Sequence, residues 1–290
     1  MKRAAPQAGA ALVLVLWLIA LLTAVVGAFA VSARTEHLQQ RVQDDAARSQ
    51  EVARAGVAYA VSRLRADPQR PAWQADGRRY RWRFDDMLVD IRIEDEAGKI
   101  NLNLADLTLL QAFLVALGEP PAQAQQLAGA IVDWRDADDL SPPGGGAEVR
   151  DYVAAGLPYG PRNRNFETPG ELQRVLGMRA SLYASMRPML TVHGRSAQPD
   201  PRVAAGPVLT AMGLDAEQVL AQRRQAEAAE QDGTATPALA SGSGTYSIEC
   251  SIVDGTGRTT VTRAVVRDSQ NAALGQAFTV LHWEQGMATQ

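Results

Sequence analysis

The sequence predicts an α+β protein in which a long N-terminal helix packs on an antiparallel sheet, with a block of helices inserted between the strands. Three patterns lead to this prediction: helical periodicity up to Arg65, alternation of apolar and polar residues at both ends of the remainder, and helical periodicity between them. The 290 residues leave room for one large or two small domains after the first helix.

An uncharged run of 24 residues extends from Ala10 to Ala33 and follows the basic residues Lys2 and Arg3. As a helix it would be about 36 Å long, which is enough to cross a hydrocarbon core of about 30 Å. The preceding positive charges predict a cytoplasmic N-terminus and export of everything after Arg34. A secretory signal peptide and a plain membrane anchor are the alternatives, although the apolar core of a signal peptide is shorter.

The helix is predicted to continue from Thr35 to Arg65, because apolar residues recur there at helical spacing until Asp67-Pro68. Strands are expected within residues 70–96. Three more are expected at the C-terminal end, at Tyr246–Val253, Thr259–Arg267 and Ala277–Trp283, with Gly255-Thr256-Gly257 as a hairpin turn. The aromatic residues expected in the core of the sheet are Trp73, Tyr80, Trp82, Phe84 and Trp283.

The residues between Ile100 and Glu230 have the spacing of short helices. The first expected helix opens at Asn101–Ala105 and includes the apolar residues between Leu107 and Leu114. Further helices are expected near Ala122–Trp134, Glu171–Leu176, Ser181–Met186 and Ala216–Glu230. We expect Asn101 and Asn103 to cap the first of these helices and to fix the junction with the sheet. The unit from Ala204 to Arg224 is short, and we expect it to be reduced.

Charge and cysteine content limit the class of protein. The formal net charge is −3, and removal of residues 1–9, which contain Lys2 and Arg3, would change it to −5. This mild acidity argues against nucleic acid as the main partner, because phosphate binding needs concentrated positive charge. Cys250 is the single cysteine, so an internal disulfide is excluded, and its place in an alternating strand predicts a buried thiol.

An acidic cluster follows the second helix of the block. It contains Asp133, Asp136, Asp138, Asp139, Glu148 and Asp151 within 19 residues, and Asn163 and Asn165 come after it. Aspartates near the negative end of a helix dipole are destabilised without a cation, and oxygen ligands in a loop suit calcium. The spacing is not that of an EF-hand, so a solvated acidic loop is the alternative. Zinc is disfavoured, because His37, His193, His282 and Cys250 are scattered.

The sequence contains no convincing catalytic motif, so we expect a structural protein and not an enzyme. Residues 100–105 are similar to the start of a helix-hairpin-helix motif, which in other proteins grips DNA phosphates. The turn that follows, Leu117-Gly118-Glu119-Pro120, has one glycine and an acidic residue where a DNA-binding hairpin has glycines and basic neighbours. DNA binding by a membrane-anchored protein of a competence or type IV pilus system is the alternative function.

The chain resembles the minor pseudopilins of type II secretion, and within them the general secretion pathway protein K family. The start Gly9–Leu22 is similar to the start of that family, in which the usual glutamate at position five of the mature helix is missing. Further matching segments are Ile100–Asn103, Asp133–Asp139, Gly146-Ala147-Glu148 with Tyr152, Leu157-Pro158-Tyr159, Asn163, Asn165-Phe166, Glu171-Leu172 and Phe278–Trp283.

The resemblance implies cleavage between Gly9 and Ala10 by a prepilin peptidase, with Ala10 as a methylated N-terminus and Leu14 in place of the glutamate. It also implies one or two calcium ions in the acidic block, with Asp133, Asp136, Asp138, Asp139, Glu148, Asn163 and Asn165 as the proposed ligands. The partners it implies are other minor pseudopilins, the major pseudopilin and an inner-membrane assembly platform, without nucleic acid.

The resemblance also implies the domain organisation and the location. The expected segments are a leader (1–9), a transmembrane helix (10–33), a pilin-like helix with the first strands (34–99), an inserted sterile-alpha-motif-like domain (100–230), a linker (231–245) and C-terminal strands that complete the sheet (246–290). The protein would cross the inner membrane once, with most of the chain in the periplasm. It would lie at the tip of the pseudopilus, start its assembly and support protein export across the outer membrane.

Overall fold

The computed structural model describes residues 8–65, 70, 72–85, 87–231, 242–253, 257, 259–268 and 278–287. The helices are α1 (Ala8–Leu64), α2 (Leu107–Ala116), α3 (Pro121–Arg135), α4 (Val149–Ala154), α5 (Ala180–Met186), α6 (Gly206–Ala211) and α7 (Ala216–Gln231). The strands are β1 (Asp76–Phe84), β2 (Met87–Asp95), β3 (Ile100–Asn101), β4 (Leu190–Thr191), β5 (Thr245–Val253), β6 (Thr259–Asp268) and β7 (Phe278–Met287). The predicted α+β class is confirmed. Most of the leader, the linker and the hairpin turn, together with Ala277, lie outside the described residues.

Helix α1 has 57 residues and is therefore about 85 Å long. Its segment Leu12–Phe29 is long and apolar enough to cross a membrane, and none of this segment is buried within the protein. Its last turns instead bury Val52, Val57 and Val61 against the sheet. One helix thus has an apolar segment that is not buried within the protein and an amphipathic segment that packs on the sheet.

The sheet has five antiparallel strands in the order β1-β2-β5-β6-β7. Alternate side chains face α1, which is the two-residue period of strands. The most deeply buried of these are Val89, Ile91, Ile93, Ile248, Cys250, Ile252, Ala264 and Val266. Burial raises the pKa of the Cys250 thiol to about 12, so this buried cysteine is inert.

The prediction that five aromatic residues form the core of the sheet was wrong. Phe84 is 42% exposed, and Trp73, Tyr80, Trp82 and Trp283 are only partly buried at the margin of the aliphatic core. A helix is about 10–12 Å wide, whereas five strands span about 20 Å between the outer two, so α1 covers only the central strands. The β1 aromatics pack along the flank of the helix, where the Trp82 ring stacks on Tyr59 with centroids 4.7 Å apart.

The helical block lies in sequence between β2 and β5, which are neighbours in the sheet. It has its own core, in which α2 packs against α3 and α6, with Leu110, Phe113 and Ile131 fully buried. The short α6 contributes the fully buried Val208 and Leu209 to the same core. The parallel pair β3–β4 joins the two ends of the first part of the block.

The asparagines at the junction do not cap α2. The cap is Asp106, whose Oδ1 accepts from Leu109 N at 2.7 Å. Asn101 donates to the Gly194 carbonyl, and Asn103 exchanges two hydrogen bonds with the backbone of Phe166. Helix α2 therefore begins at Leu107, later than predicted. An amide side chain can both donate and accept, and the Asn101 and Asn103 side chains use this to connect segments that are distant in the sequence.

Candidate functional site

The N-terminal site predicted from the sequence lies at the start of α1. Gly9 and Ala10 are within its first residues. Leu14, which stands at the position of the missing glutamate, is 69% exposed, and its neighbours Val13 and Val15 are also exposed. The structure therefore presents an apolar surface at this position, and the cleavage itself stays a prediction.

The acidic cluster is partly brought together by the fold. Ligand oxygens of Asp133, Asp136 and Glu148 lie within 4.8 Å of one another. Asp133 is in the last turn of α3, Asp136 follows the end of that helix, and Glu148 directly precedes α4. Three carboxylates from two helix ends thus converge on one point.

Several oxygens in this group are buried and unsatisfied. Asp133 is fully buried and Glu148 is 3% exposed. Asp133 Oδ2 accepts from Ala147 N at 2.7 Å. Asp133 Oδ1, Asp136 Oδ1 and both Glu148 carboxylate oxygens lack a hydrogen-bond donor within the described part of the chain. Buried acceptors without donors cost about 1–3 kcal/mol each, and more when charged, so the arrangement needs a cation or protons.

The electrostatics lead to the same conclusion. Burial raises the pKa of each of the three carboxyls, and repulsion from neighbouring carboxylates of the acidic cluster adds to this effect. At Asp133 the Ala147 N–H partly opposes the rise in pKa. A bound cation reverses these effects, because it favours the ionised form of every carboxylate that it contacts.

Glycines allow the loop to reach the helix. A Cβ at Gly129, in the middle of α3, would overlap the Gly145 carbonyl oxygen and lie 3.1 Å from Gly146 Cα. The loop backbone therefore rests on α3 one turn before Asp133. The glycine run 144–146 was visible in the sequence, but its dependence on Gly129 was not.

The other predicted ligands have different surroundings. Asp138 and Asp139 are exposed, and Asp138 Oδ1 accepts from Leu140 N at 2.9 Å. Asn163 has a left-handed backbone (φ 51°), and its buried Oδ1 lacks a donor among the described residues. Asn165 is exposed. The ligand role of these four residues stays a prediction.

The donors of this group fit a hard cation. Every converging ligand is a carboxylate oxygen, which is the donor type that calcium prefers. Among the described residues, no histidine or cysteine joins the group. His193 and His282 instead face each other near the junction with the sheet, with ring centroids 6.4 Å apart. The described donors therefore suit a hard cation such as calcium better than they suit zinc.

Comparison with known proteins identifies relatives of part of the chain. Residues 88–195 match the family model described as type II secretion system protein K. The type II secretion system protein K of Klebsiella pneumoniae is 30% identical over 174 residues, which cover 53% of this chain and 51% of that protein. The Pseudomonas aeruginosa protein K is 30% identical over 131 residues, which cover 42% of this chain and 39% of that protein. The Dickeya chrysanthemi protein K is 34% identical over 84 residues, which cover 29% of this chain and 22% of that protein. The chain thus aligns with about half or less of the length of these relatives.

A solved structure is similar over most of the fold. A chain in the crystal structure of the GspK-GspI-GspJ complex from the enterotoxigenic Escherichia coli type 2 secretion system has a TM-score of 0.62. The match covers 86% of this chain and 100% of that chain at 17% identity, so it supports the fold. The resemblance to the protein K family is confirmed.

Proposed function

From this similarity we propose that the chain is a minor pseudopilin of a type II secretion system, a structural component that lies at the pseudopilus tip. The match of residues 88–195 to protein K carries the proposal. The fold supports it, since an 85 Å helix (about 1.5 Å per residue) combines a membrane-length apolar segment with a packed sheet. We propose a single inner-membrane span, a periplasmic domain, and assembly with other minor pseudopilins, the major pseudopilin and the inner-membrane platform.

Two features favour the tip. The helical block adds a second core beside the sheet, and this bulk would obstruct regular stacking inside a filament. Leu14 adds no charge to the apolar segment. In most other pilin-like subunits a glutamate at this position meets the N-terminal amine of a neighbouring subunit, and an unpaired carboxylate within lipid is costly. A subunit with no neighbour above it therefore has a reason to lack the acid.

The test of the function is co-assembly in the native host. We expect the full chain, solubilised in detergent, to co-purify with smaller pilin-like subunits of a secretion operon. Deletion of the gene should abolish export through that system and leave other export routes intact. Export at the normal level in the deletion strain would contradict the proposal.

Processing at Gly9 is a separate prediction. In the native host, Gly9→Val should leave the chain uncut, because the proposed peptidase needs the small residue before the cleaved bond, and assembly should stop. Intact-mass measurement of the wild type should find a chain that begins at Ala10, with or without a methyl group. Gly27→Val is the matched control within the same apolar segment, where a Cβ would meet no atom of the protein within 4 Å. A mature start near Ser32–Arg34 would instead identify a secretory signal peptide.

We also propose that the acidic site binds calcium, held by Asp133, Asp136 and Glu148 with Asn163 as a further ligand. Calcium would supply positive charge and would tie the end of α3 to the start of α4. The support is the set of buried carboxylate oxygens without donors. A structural ion fits the proposed function, because a periplasmic domain with one cysteine lacks disulfides to stabilise its loops.

Calcium should raise the melting temperature of the full chain in detergent by several degrees. A ligand at about 100 times its dissociation constant adds about 2.7 kcal/mol, and about 10 mM calcium reaches this ratio for a dissociation constant of about 0.1 mM. The double variant Asp136→Asn with Glu148→Gln should lose the difference between calcium and chelator. Asp138→Asn with Asp139→Asn, which removes the same charge from exposed positions, should retain most of it. Equal melting of the wild type in calcium and in chelator would show that the cluster is a solvated loop.

The turns of the helical hairpins carry acidic residues, which disfavours the alternative function of DNA binding. The described residues include the helical hairpins α2–α3 and α6–α7. Each has a glycine of positive φ after its first helix, Gly118 and Gly213 respectively. The turns place Glu119 two residues before α3 and Asp215 directly before α7, where a phosphate would be expected to bind. We therefore propose no nucleic-acid function, and no catalytic one.

A further inference from the structure

A row of charged residues crosses the face of the sheet that is opposite α1. The strand register places Arg79, Arg92, Glu249, Arg263 and Glu284 side by side, one from each strand in sheet order. On the β7 side the row is balanced. Arg263 Nε lies 2.6 Å from Glu249, and Arg187 lies 2.7 Å from Glu284.

The row is unbalanced where it reaches β1. Arg79 and Arg92 are directly opposite each other, and like charges in this position are destabilising. Arg92 is paired with Glu94 at 2.7 Å, whereas exposed Arg79 has no ion-pair partner among the described residues. Arg83 on the same face is also exposed and lacks a described partner, and Arg81 is 78% exposed with Asp90 3.4 Å away.

The strand that carries these arginines is the edge of the sheet. Within the described residues, β1 pairs with β2 on one side and with no strand on the other. Glu227 of α7 approaches Arg78 at 3.6 Å near the start of β1, and Arg79–Phe84 continues beyond this contact. An unpaired edge presents backbone donors and acceptors that another extended segment can use.

We propose that the free edge of β1 binds an extended segment of another protein as a sixth strand, and that this segment alternates acidic and apolar residues. Acidic side chains on one face would lie opposite Arg79, Arg81 and Arg83 and would extend the charge row. Apolar side chains on the other face would pack beside the 42% exposed Phe84. Backbone hydrogen bonds would hold the added strand against β1, and the arginines would select a segment with acidic side chains.

The charges select against two other occupants. Pairing of β1 with β1 of a second copy would bring arginines opposite arginines, which is unfavourable. An anionic membrane surface would use the arginines but not the unpaired backbone or the exposed aromatic residue. An acidic strand is the occupant that uses all three features, and the proposal is independent of the function proposed above.

The test uses the full chain in nanodiscs of zwitterionic lipid and a fluorescent peptide that alternates glutamate with valine. We expect binding by fluorescence anisotropy, and a loss of about tenfold in affinity in the Arg79→Glu, Arg83→Glu double variant, since each exposed pair contributes up to about 1 kcal/mol. The control variant Arg174→Glu with Arg224→Glu makes the same charge change at exposed arginines of the helical block, away from β1, and should bind the peptide as the wild type does.

A second peptide isolates the backbone contribution. The same sequence with alternate backbone nitrogens methylated should bind at least about tenfold more weakly, because it loses several hydrogen bonds of about 1 kcal/mol each. Equal binding of the methylated peptide would overturn strand addition. No binding of the unmethylated peptide, or flotation with phosphatidylglycerol vesicles in place of peptide binding, would also overturn the proposal.

Discussion

Substitution of Glu96 by glutamine is expected to destabilise the chain by about 3–5 kcal/mol, because it removes one partner of a buried ion pair. Glu96 is 2% exposed and lies in the short turn between β2 and β3. Its Oε1 accepts from Lys99 Nζ at 2.6 Å and from the Ser247 hydroxyl, and its Oε2 accepts from the Thr191 hydroxyl. One carboxylate thus joins β5 of the sheet to β4 of the helical block.

The pH dependence of this contribution has a defined sign. Burial alone would raise the pKa of Glu96, but the Lys99 ammonium and the hydrogen bonds outweigh it and hold this pKa below its usual value. A carboxyl with a lowered folded pKa stabilises the fold above its unfolded pKa of about 4.3. The contribution is lost as the pH falls through the folded pKa. The difference in unfolding free energy between wild type and Glu96→Gln should therefore shrink below about pH 4.

Urea unfolding of the full chain in detergent measures this effect. Glu249→Gln is the matched control, because Glu249 forms a comparable pair with Arg263 at a partly exposed position and should cost about 1 kcal/mol or less. A cost below about 1 kcal/mol for Glu96→Gln as well would show that the junction does not depend on the buried pair.

Gly129→Ala is expected to destabilise the chain by about 1–3 kcal/mol and to abolish its response to calcium. The added Cβ would overlap the Gly145 carbonyl oxygen and lie 2.7 Å from the carbonyl carbon, so the loop backbone must move. That loop leads directly to Ala147, whose N–H bonds Asp133, and to Glu148. The helix gains about 1 kcal/mol from alanine in place of glycine, which offsets part of the strain without restoring the site.

Gly56→Ala is the matched control for this substitution. Gly56 is also inside a helix, and its Cβ would meet Cys250 Sγ at 3.1 Å, which is a side chain and not a backbone. We expect a change within about 1 kcal/mol and a normal calcium response. Thermal melting in calcium and in chelator compares the two variants. A normal calcium response in Gly129→Ala would show that the loop does not position the ligands.

The elements with a clear period were predictable from the sequence. The uncharged run and the helical spacing that follows it predicted α1. Alternation placed the first strands within residues 70–96 and predicted β5 and β6 close to their observed ends. These patterns are local, because each reflects which side of a helix or strand is buried. The acidic cluster was visible for the same reason, since its members are close in sequence.

Which acidic residues converge was decided by the tertiary structure. Asp133 and Glu148 meet because the loop backbone rests on Gly129. Asp138 and Asp139, which are closer to Asp133 in the sequence, remain exposed. The aromatic residues lie at the margin of the core because one helix is narrower than a sheet of five strands. No local sequence pattern contains this information.

Composition and short-range spacing were enough to predict a membrane-length helix and an α+β architecture, and matching segments of the sequence carried the resemblance to protein K. No such pattern shows that β2 and β5 are neighbours in the sheet, or that Arg79 lies at the unpaired end of a row of charges that reaches Glu284; both follow from the fold. Strand register brings together residues that are far apart in the chain, and the free energy that selects it comes from packing of the whole sheet on α1.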